Sequence, residues 1–236
     1  MSATREIKVI AHMRTNFPTK FGIPRQSGLI DCLKGIIVFE PEYRNPEALR
    51  GLESFSHIWV IWEFSQAVLE TWSPTVRPPR LGGNKRMGVF ATRSPFRPNA
   101  LGLSSLKLEK IEIHPELGPI IHVAGVDLMD NTPIFDIKPY LPYTDCHKEA
   151  VGGYVEPLEE QKLKVVFPEE WLSNIPPEHR EALQSVLAND PRPSYQKDPQ
   201  RIYGLAYAGF NVRFTVAGDV LTVCGVEKLK KDLNED

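Results

Sequence analysis

The stretch LSSLKLEKIEIHPELGPIIHVAGVDLM, residues 103–129, carries two adjacent β-strand patterns and decides the fold class. In its first half, Leu106 and Leu108 alternate with polar residues, whereas Ile111 and Ile113 alternate in the opposite phase. Because successive side chains of a strand point to opposite faces, this change of phase predicts a β-bulge near Glu109 and Lys110. The second half, IIHVAGVDLM, is apolar in both phases, which is typical of a strand buried on both faces.

Further short strands surround this stretch. In HIWVIWEF, residues 57–64, every second residue from Ile58 to Phe64 is apolar, which predicts a strand with one apolar face. Another short strand is predicted from Met87 to Arg93. Several short strands with few helical patterns between them favour a closed sheet. The sequence therefore predicts a mainly β fold whose N-terminal part is a closed β-barrel.

The last third of the chain predicts a small α+β domain. The segment PPEHREALQSVLAND, residues 176–190, has the charge pattern and the apolar stripe of a helix. The segments FNVRFTV and VLTVCGV flank Ala217–Asp219 and predict a β-hairpin. The polar residues before this region, which include a Gly-Gly pair, predict a linker. The predicted boundaries are 5–143 for the barrel, 144–164 for the linker and 165–232 for the C-terminal domain.

The composition of the 236 residues limits the classes of function. The apolar runs are too short to span a bilayer, and the N-terminus lacks the apolar core of a signal peptide. The three cysteines are scattered and form no C-x-x-C pair, and the histidines form no H-E-x-x-H motif. We therefore expect a cytoplasmic protein without a membrane segment, a disulfide framework or a bound metal.

Residues 71–108 contain no acidic residue, although the whole chain has a net charge of −2. A concentrated positive segment predicts an anionic partner, of which a phosphate backbone is the commonest. Its motif RSPFRPN, residues 93–99, places two arginines on a loop that prolines make stiff. The alternative interpretation is a solvated basic face that pairs with acids elsewhere in the chain. The basic residues are Arg77, Arg80, Lys85, Arg86, Arg93, Arg97 and Lys107.

A second polar motif, DLMDNTPIFDIKPY, spans residues 127–140. It runs from a buried strand into a turn rich in Asp and Asn, and then into a short alternating segment. One interpretation is a ligand-binding turn. The other is an Asx turn that bonds the backbone, with Lys138 paired to Asp136. Alternation places Asp136, Lys138 and Tyr140 on one face of the strand.

Taken together, these motifs resemble the TrmO/TsaA family of tRNA methyltransferases over essentially the whole chain. Two departures from the family pattern are visible. Asn131 stands where the family more often has Gly, and Ala100-Leu101 stands where Pro-Ile is usual. Asn tolerates a positive φ better than most residues, so we expect the turn to be kept. The matching segments are FGIPRQ (21–26), FSHIW (55–59), TVRPPRLGG (75–83), GVFATRSPFRPN (88–99), DNTPIFDIKPY (130–140), DPRPSY (190–195) and FNVR (210–213).

The resemblance implies S-adenosylmethionine as cofactor, bound on a β-barrel instead of a Rossmann sheet, and a homodimer as the assembly. It implies methylation of the exocyclic N6 of threonylcarbamoyl-adenosine next to the anticodon of certain tRNAs. The chain itself has no G-x-G-x-x-G that follows a strand and opens a helix. Carried over by position, the implied cofactor-binding residues are Pro24, Arg25, Gln26, His57, Arg93, Leu103, Asp130, Asn131, Thr132 and Pro133, and the implied RNA-binding residues are Arg77, Arg80, Lys85, Arg86 and Arg97.

The implied reaction removes a proton from the target nitrogen, so a general base would help. The candidates are His57, Asp136 and Tyr140, with Lys138 as an electrostatic helper, and the sequence does not choose among them. For His57 the competing interpretation is a histidine at the start of a strand that bonds a neighbouring backbone group.

Two other functions fit the same residues. One is a tRNA-binding module without chemistry, in which the basic loop is the whole function. The other is a small-molecule-binding barrel that acts as a regulator. Cofactor binding and methyl incorporation into tRNA separate the methyltransferase from both.

Overall fold

The computed structural model describes residues 5–67, 71–81, 85–155, 162–193, 196 and 198–229. Six antiparallel strands form a closed barrel in the order β1-β2-β7-β6-β3-β8, which confirms the predicted mainly β fold. The barrel is filled by apolar side chains such as Met13, Ile58, Val60 and Ile134. The strands are β1 (Ala11–Thr15), β2 (Lys34–Phe39), β3 (His57–Glu63), β6 (Leu101–His114), β7 (Gly118–Ala124) and β8 (Thr132–Pro139), and the short β4 (Thr75–Val76) and β5 (Met87–Gly88) pair with each other outside the barrel.

The predicted β-bulge lies in β6, where the register against β7 shifts between Leu108 and Lys110. The bulge divides β6 into two halves. The half before the bulge pairs with β3, and its inner residues, such as Leu106, fill the barrel. The half after the bulge extends along β7 as a hairpin toward Gly118.

Two predicted strands end earlier than the sequence suggested. The apolar run after β7 is largely buried, as expected, but the strand itself ends at Ala124. It ends there because Gly125 adopts a φ of 74° and its carbonyl accepts a hydrogen bond from the Gly28 amide at 2.9 Å. The predicted strand from Met87 to Arg93 is wrong beyond Gly88. A 3-10 helix over Val89–Ala91 follows instead, and buried Val89 anchors it.

The C-terminal residues form a second sheet in the order β10-β11-β12-β9. The predicted helix is present as α3, and the predicted hairpin is present as β11 and β12. The strand β9 pairs with β12 in parallel orientation. The domain boundaries themselves stay a prediction. The elements are α1 (Pro142–Asp145), β9 (Lys164–Val166), α2 (Glu169–Leu172), α3 (Pro177–Ala188), β10 (Tyr203–Tyr207), β11 (Phe210–Ala217) and β12 (Val220–Lys228).

The loop between β1 and β2 packs on the C-terminal sheet. Phe17, Ile30 and Leu33 are buried in the same apolar cluster as Leu183 and Phe214. The residues between these anchors contact the barrel, where the Gly28 amide donates to the carbonyl of Gly125. The C-terminal sheet therefore fixes the loop that carries the FGIPRQ motif.

The described residues limit other kinds of site. None of the described helices is long and apolar enough to span a bilayer. No group of three or more metal-ligating side chains occurs among the described residues. Cys32, Cys146 and Cys224 are free thiols.

Candidate functional site

A cleft of about 710 Å³ lies at the end of the barrel where β3 ends and β6 and β8 begin. Its walls come largely from these strands and from two loops, residues 20–26 and 92–97. Trp62 can lie flat on the neighbouring strand because Gly102 has no side chain, and any Cβ at Gly102 would overlap the indole. The volume falls within the range of about 300–1,000 Å³ that is typical of small-molecule sites.

Six of the ten predicted cofactor-binding residues line this cleft. Arg93 donates from Nη1 to Oε1 of Gln26, and the Gln26 side-chain amide bonds the carbonyl of Arg25. These contacts join the FGIPRQ loop to the basic loop across the mouth of the cleft. The six residues are Pro24, Arg25, Gln26, Arg93, Leu103 and Thr132.

Three residues of the predicted turn do not line the cleft. Asp130 instead accepts a hydrogen bond from the Thr15 amide at 2.9 Å, and Arg14 lies 3.8 Å from its other carboxylate oxygen. Asn131 is exposed and has the expected positive φ, 61°. Pro133 pairs with β1 in the barrel. Asp130 therefore accepts a hydrogen bond from the backbone of the neighbouring strand, which is close to the second interpretation of this motif, an Asx turn that bonds the backbone.

The four candidate catalytic residues form a cluster beside the cleft, which we call the outer cluster: His57, Asp136, Lys138 and Tyr140. None of the four lines the cleft. Nδ1 of His57 lies 2.9 Å from the hydroxyl of Ser56, so its partner is a neighbouring side chain and not the backbone. Nζ of Lys138 lies 3.0 Å from a carboxylate oxygen of Asp136, which confirms the pair expected from the structural interpretation.

Trp59 connects the outer cluster to the cleft. Its ring centroid lies 5.4 Å from that of Tyr140, and it stands opposite Lys138 in the β3–β8 pair. The same indole lines the cleft and donates from Nε1 to Asp145 at 2.8 Å. A change at Tyr140 can therefore reach the cleft through packing, without contact between Tyr140 and a bound molecule.

The basic segment extends from the cleft onto the surface. Arg77, Lys85 and Arg86 are exposed, and none of them forms an ion pair with an acid in the described ranges. The side chain of Arg80 lies outside the described residues. Arg97 differs from these residues because it lines the cleft and donates to the carbonyls of Thr92 and Ser94 at 3.0 and 3.4 Å.

Asp127 is a polar cleft residue that the sequence interpretation missed. Asp127 accepts a hydrogen bond from Ser104 at 2.7 Å, and Ser104 accepts one from Nε1 of Trp62 at 3.0 Å. Burial raises the pKa of Asp127 to about 6. Hydrogen bonds from Ser104 and from the backbone, and the charge of Arg93, act in the opposite direction and lower the pKa. A lone carboxylate within the apolar run IIHVAGVDLM was the signal that could have identified it.

Comparison with known proteins adds the family. Residues 12–146 match the family described as tRNA-methyltransferase O N-terminal domain, and residues 160–229 match the TrmO C-terminal domain. The chain belongs to the TrmO family. A family member of Escherichia coli K12, named tRNA (adenine(37)-N6)-methyltransferase, is 38% identical over 230 residues, which cover 94% of this chain and 97% of the relative.

Two further relatives agree with this assignment. A protein of Eikenella corrodens with the same name is 49% identical over 166 residues, which cover 69% of this chain and 92% of the relative. The crystal structure of TrmO from Pseudomonas aeruginosa superimposes with a TM-score of 0.76 at 32% identity. The match covers 95% of this chain and 100% of the TrmO chain. Both parts of the chain therefore have counterparts in TrmO proteins.

Proposed function

We propose that this protein transfers a methyl group from S-adenosylmethionine to the exocyclic N6 of adenosine 37 in tRNA, in its threonylcarbamoylated form. The observation that carries the proposal is that one acid-free segment supplies both the cleft wall and the exposed basic surface. Arg93 and Arg97 line the cleft, while Arg77 and Lys85 face solvent. A nucleic acid bound by the basic surface would therefore present a base at the cleft.

The cleft fits an S-adenosylmethionine molecule in size and chemistry. Trp62, Phe64 and Leu103 offer apolar walls for a nucleoside, and Arg25 and Arg93 offer cationic groups for a carboxylate. When bound, the cofactor supplies an electrophilic methyl group. A relative in Pseudomonas aeruginosa, 39% identical over 211 residues, is provisionally named as an S-adenosylmethionine-dependent methyltransferase.

The basic segment also carries exposed aromatic rings. The rings of Trp72 and Phe90 lie 6.1 Å apart, and the two residues are 50% and 72% exposed. Aromatic rings beside cations are typical of surfaces that bind unpaired bases by stacking. These residues therefore support an interface for a single-stranded tRNA loop, such as the anticodon loop.

We further propose that the protein acts in the cytoplasm as a homodimer, as the family resemblance implies. Binding experiments separate this function from its alternatives. The methyltransferase requires saturable S-adenosylmethionine binding by calorimetry and methyl incorporation into tRNA by the same protein. Binding of tRNA alone would favour a module without chemistry, and ligand binding that tRNA leaves unchanged would favour a regulatory barrel.

We expect Arg77→Ala combined with Lys85→Ala to weaken tRNA binding and leave S-adenosylmethionine affinity unchanged. Each lost phosphate contact should reduce the slope of log affinity against log salt by roughly 0.7–0.9. The measurement is tRNA affinity at several salt concentrations, with Arg50→Ala, which removes an exposed arginine next to Glu47, as the control. A double variant with the wild-type salt slope would show that this surface does not contact RNA.

The catalytic role of the outer cluster stays a prediction, and the structure favours a supporting role. We expect Asp136→Ala and Lys138→Ala to lower the melting temperature slightly and to keep the single-turnover methylation rate within about tenfold of wild type, since an exposed ion pair contributes about 0–1 kcal/mol. We expect Tyr140→Phe to keep a near-normal rate as well, because its ring still packs on Trp59. Rate losses of ~100- to 10,000-fold with normal melting would instead identify a proton acceptor here.

A further inference from the structure

Asp127 is held at the barrel end by a short chain of hydrogen bonds. It follows β7, between the buried side chains of Val126 and Leu128. An indole N–H can only donate, so Ser104 accepts from Trp62 and its own proton points to Oδ1 of Asp127. Both Trp62 and Ser104 are buried. This arrangement fixes the orientation of the carboxyl group.

Asp127 is one of the residues that line the cleft. In the described part of the protein Ser104 is the side chain that donates to its carboxyl group, and the backbone of Ser27 also donates to it. The groups that face the carboxyl are Ser104 of β6, the backbone of Ser27 in the β1–β2 loop, and the cation of Arg93. The other charged residues of the cleft are Lys20, Arg25, Glu63 and Arg97.

The surroundings of Asp127 suit proton transfer near neutral pH. Removal from water destabilises the charged form of a carboxyl group, so burial raises its pKa to about 6 despite the opposing hydrogen bonds and the nearby arginine. A general base is most effective when its pKa lies near the working pH. At pH 8 the group is ionised and able to accept a proton.

We infer that Asp127 is the general base of the methyl transfer, whose carboxylate accepts the proton that the adenine N6 loses. This inference rests on the proposed function. The bond between sulfur and the methyl carbon breaks, and its electron pair stays on sulfur. The bond between N6 and the methyl carbon forms, and the N6 proton moves to the Asp127 carboxylate. Ser104 and Trp62 act as positioning residues that keep Oδ1 occupied.

The test begins with the wild-type protein, whose single-turnover methylation at pH 8 establishes the proposed function independently. With saturating S-adenosylmethionine, the wild-type rate should fall about tenfold per pH unit below pH 6. Asp127→Asn should lower the rate at pH 8 by ~100- to 10,000-fold, lose this pH dependence and keep cofactor affinity by calorimetry. Ser104→Ala should move the midpoint of the pH–rate profile to higher pH, because the Ser104 hydrogen bond lowers the pKa of Asp127.

A second readout does not depend on activity. In the free protein, the side-chain carboxyl ¹³C resonance that disappears in Asp127→Asn should titrate with a midpoint near 6. Asp127→Glu should recover part of the lost rate if the group acts as a base.

Three results would overturn the inference. The first is an Asp127→Asn protein with the wild-type rate and pH profile. The second is a loss confined to cofactor affinity, with a normal rate at saturation, which would make Asp127 a cofactor ligand. The third is loss of the pH dependence in Glu63→Gln and not in Asp127→Asn, which would assign the base to the other carboxylate of the cleft. If wild type methylates no tRNA, the proposed function fails first, and the carboxyl titration still reports on Asp127.

Discussion

At pH 8, Asp127→Asn is expected to be more stable than the wild-type protein by up to about 3 kcal/mol. Burial raises the pKa of the Asp127 carboxyl to about 6, whereas an unfolded aspartate has a pKa of about 3.9. The folded state therefore binds this proton more tightly than the unfolded chain. As the pH rises from about 4 to about 6, the unfolded chain loses this proton while the buried carboxyl keeps it, so the free energy of unfolding falls.

The size of this stability difference follows from about 1.4 kcal/mol for each unit by which the pKa differs between the folded and unfolded states. Asparagine is neutral at every pH and can still accept a hydrogen bond from Ser104. The free energy of unfolding of the variant therefore does not fall with pH at this position. Urea unfolding should show the difference at pH 8, about half of it at pH 5, and almost none below about pH 4. Asp219→Asn changes an exposed aspartate in the β11–β12 hairpin and should match wild type throughout. A variant less stable than wild type at pH 8 would show that the carboxylate is stabilised where it lies.

Arg93→Ala is expected to weaken S-adenosylmethionine binding by roughly 10- to 150-fold with the fold intact. A lost hydrogen bond to a charged group costs about 1.5–3 kcal/mol, which corresponds to this range. The arginine also bonds Gln26 and so holds the two loops of the cleft together. Arg25→Ala should act in the same direction, because Arg25 lines the same wall. Isothermal titration calorimetry measures both affinities.

The matched control for Arg93 is Arg86→Ala. Arg86 belongs to the same acid-free segment and is exposed, but it lies outside the cleft and bonds the hydroxyl of Thr75 at 2.8 Å. Its loss should leave cofactor affinity unchanged. Equal affinity of wild type, Arg25→Ala and Arg93→Ala would reject this cleft as the cofactor site.

The fold was predictable where local pattern and packing agree. The phase change between Leu108 and Ile111 directly reports the bulge, since one extra residue reverses every later side chain. The end of β7 was not predictable from hydrophobicity, because the buried residues after Gly125 leave the ladder but still pack in the apolar core of the barrel. The strand predicted for 87–93 was wrong beyond Gly88, because the chain turns there into a 3-10 helix that buries Val89.

The cleft was predictable where its residues lie in motifs that the sequence shows. The FGIPRQ loop and Arg93 meet across the cleft, although 67 positions separate Gln26 from Arg93. Asp136 and Lys138 of β8 form the ion pair that the sequence suggested, but the alternation of residues along a strand does not say which face of the strand lines a cleft. Asp127 was missed because its proposed role depends on Ser104, 23 positions away, and on burial that only the closed barrel creates.

Mass spectrometry of tRNA nucleosides tests the central claim most directly. Purified protein is incubated at pH 8 with S-adenosylmethionine and tRNA that carries threonylcarbamoyl-adenosine, and the nucleosides are then analysed. The proposal predicts a gain of one methyl group on the N6 of that nucleoside, dependent on cofactor and strongly reduced in Arg93→Ala. Wild-type protein that binds both S-adenosylmethionine and tRNA but leaves the nucleosides unmethylated would contradict it.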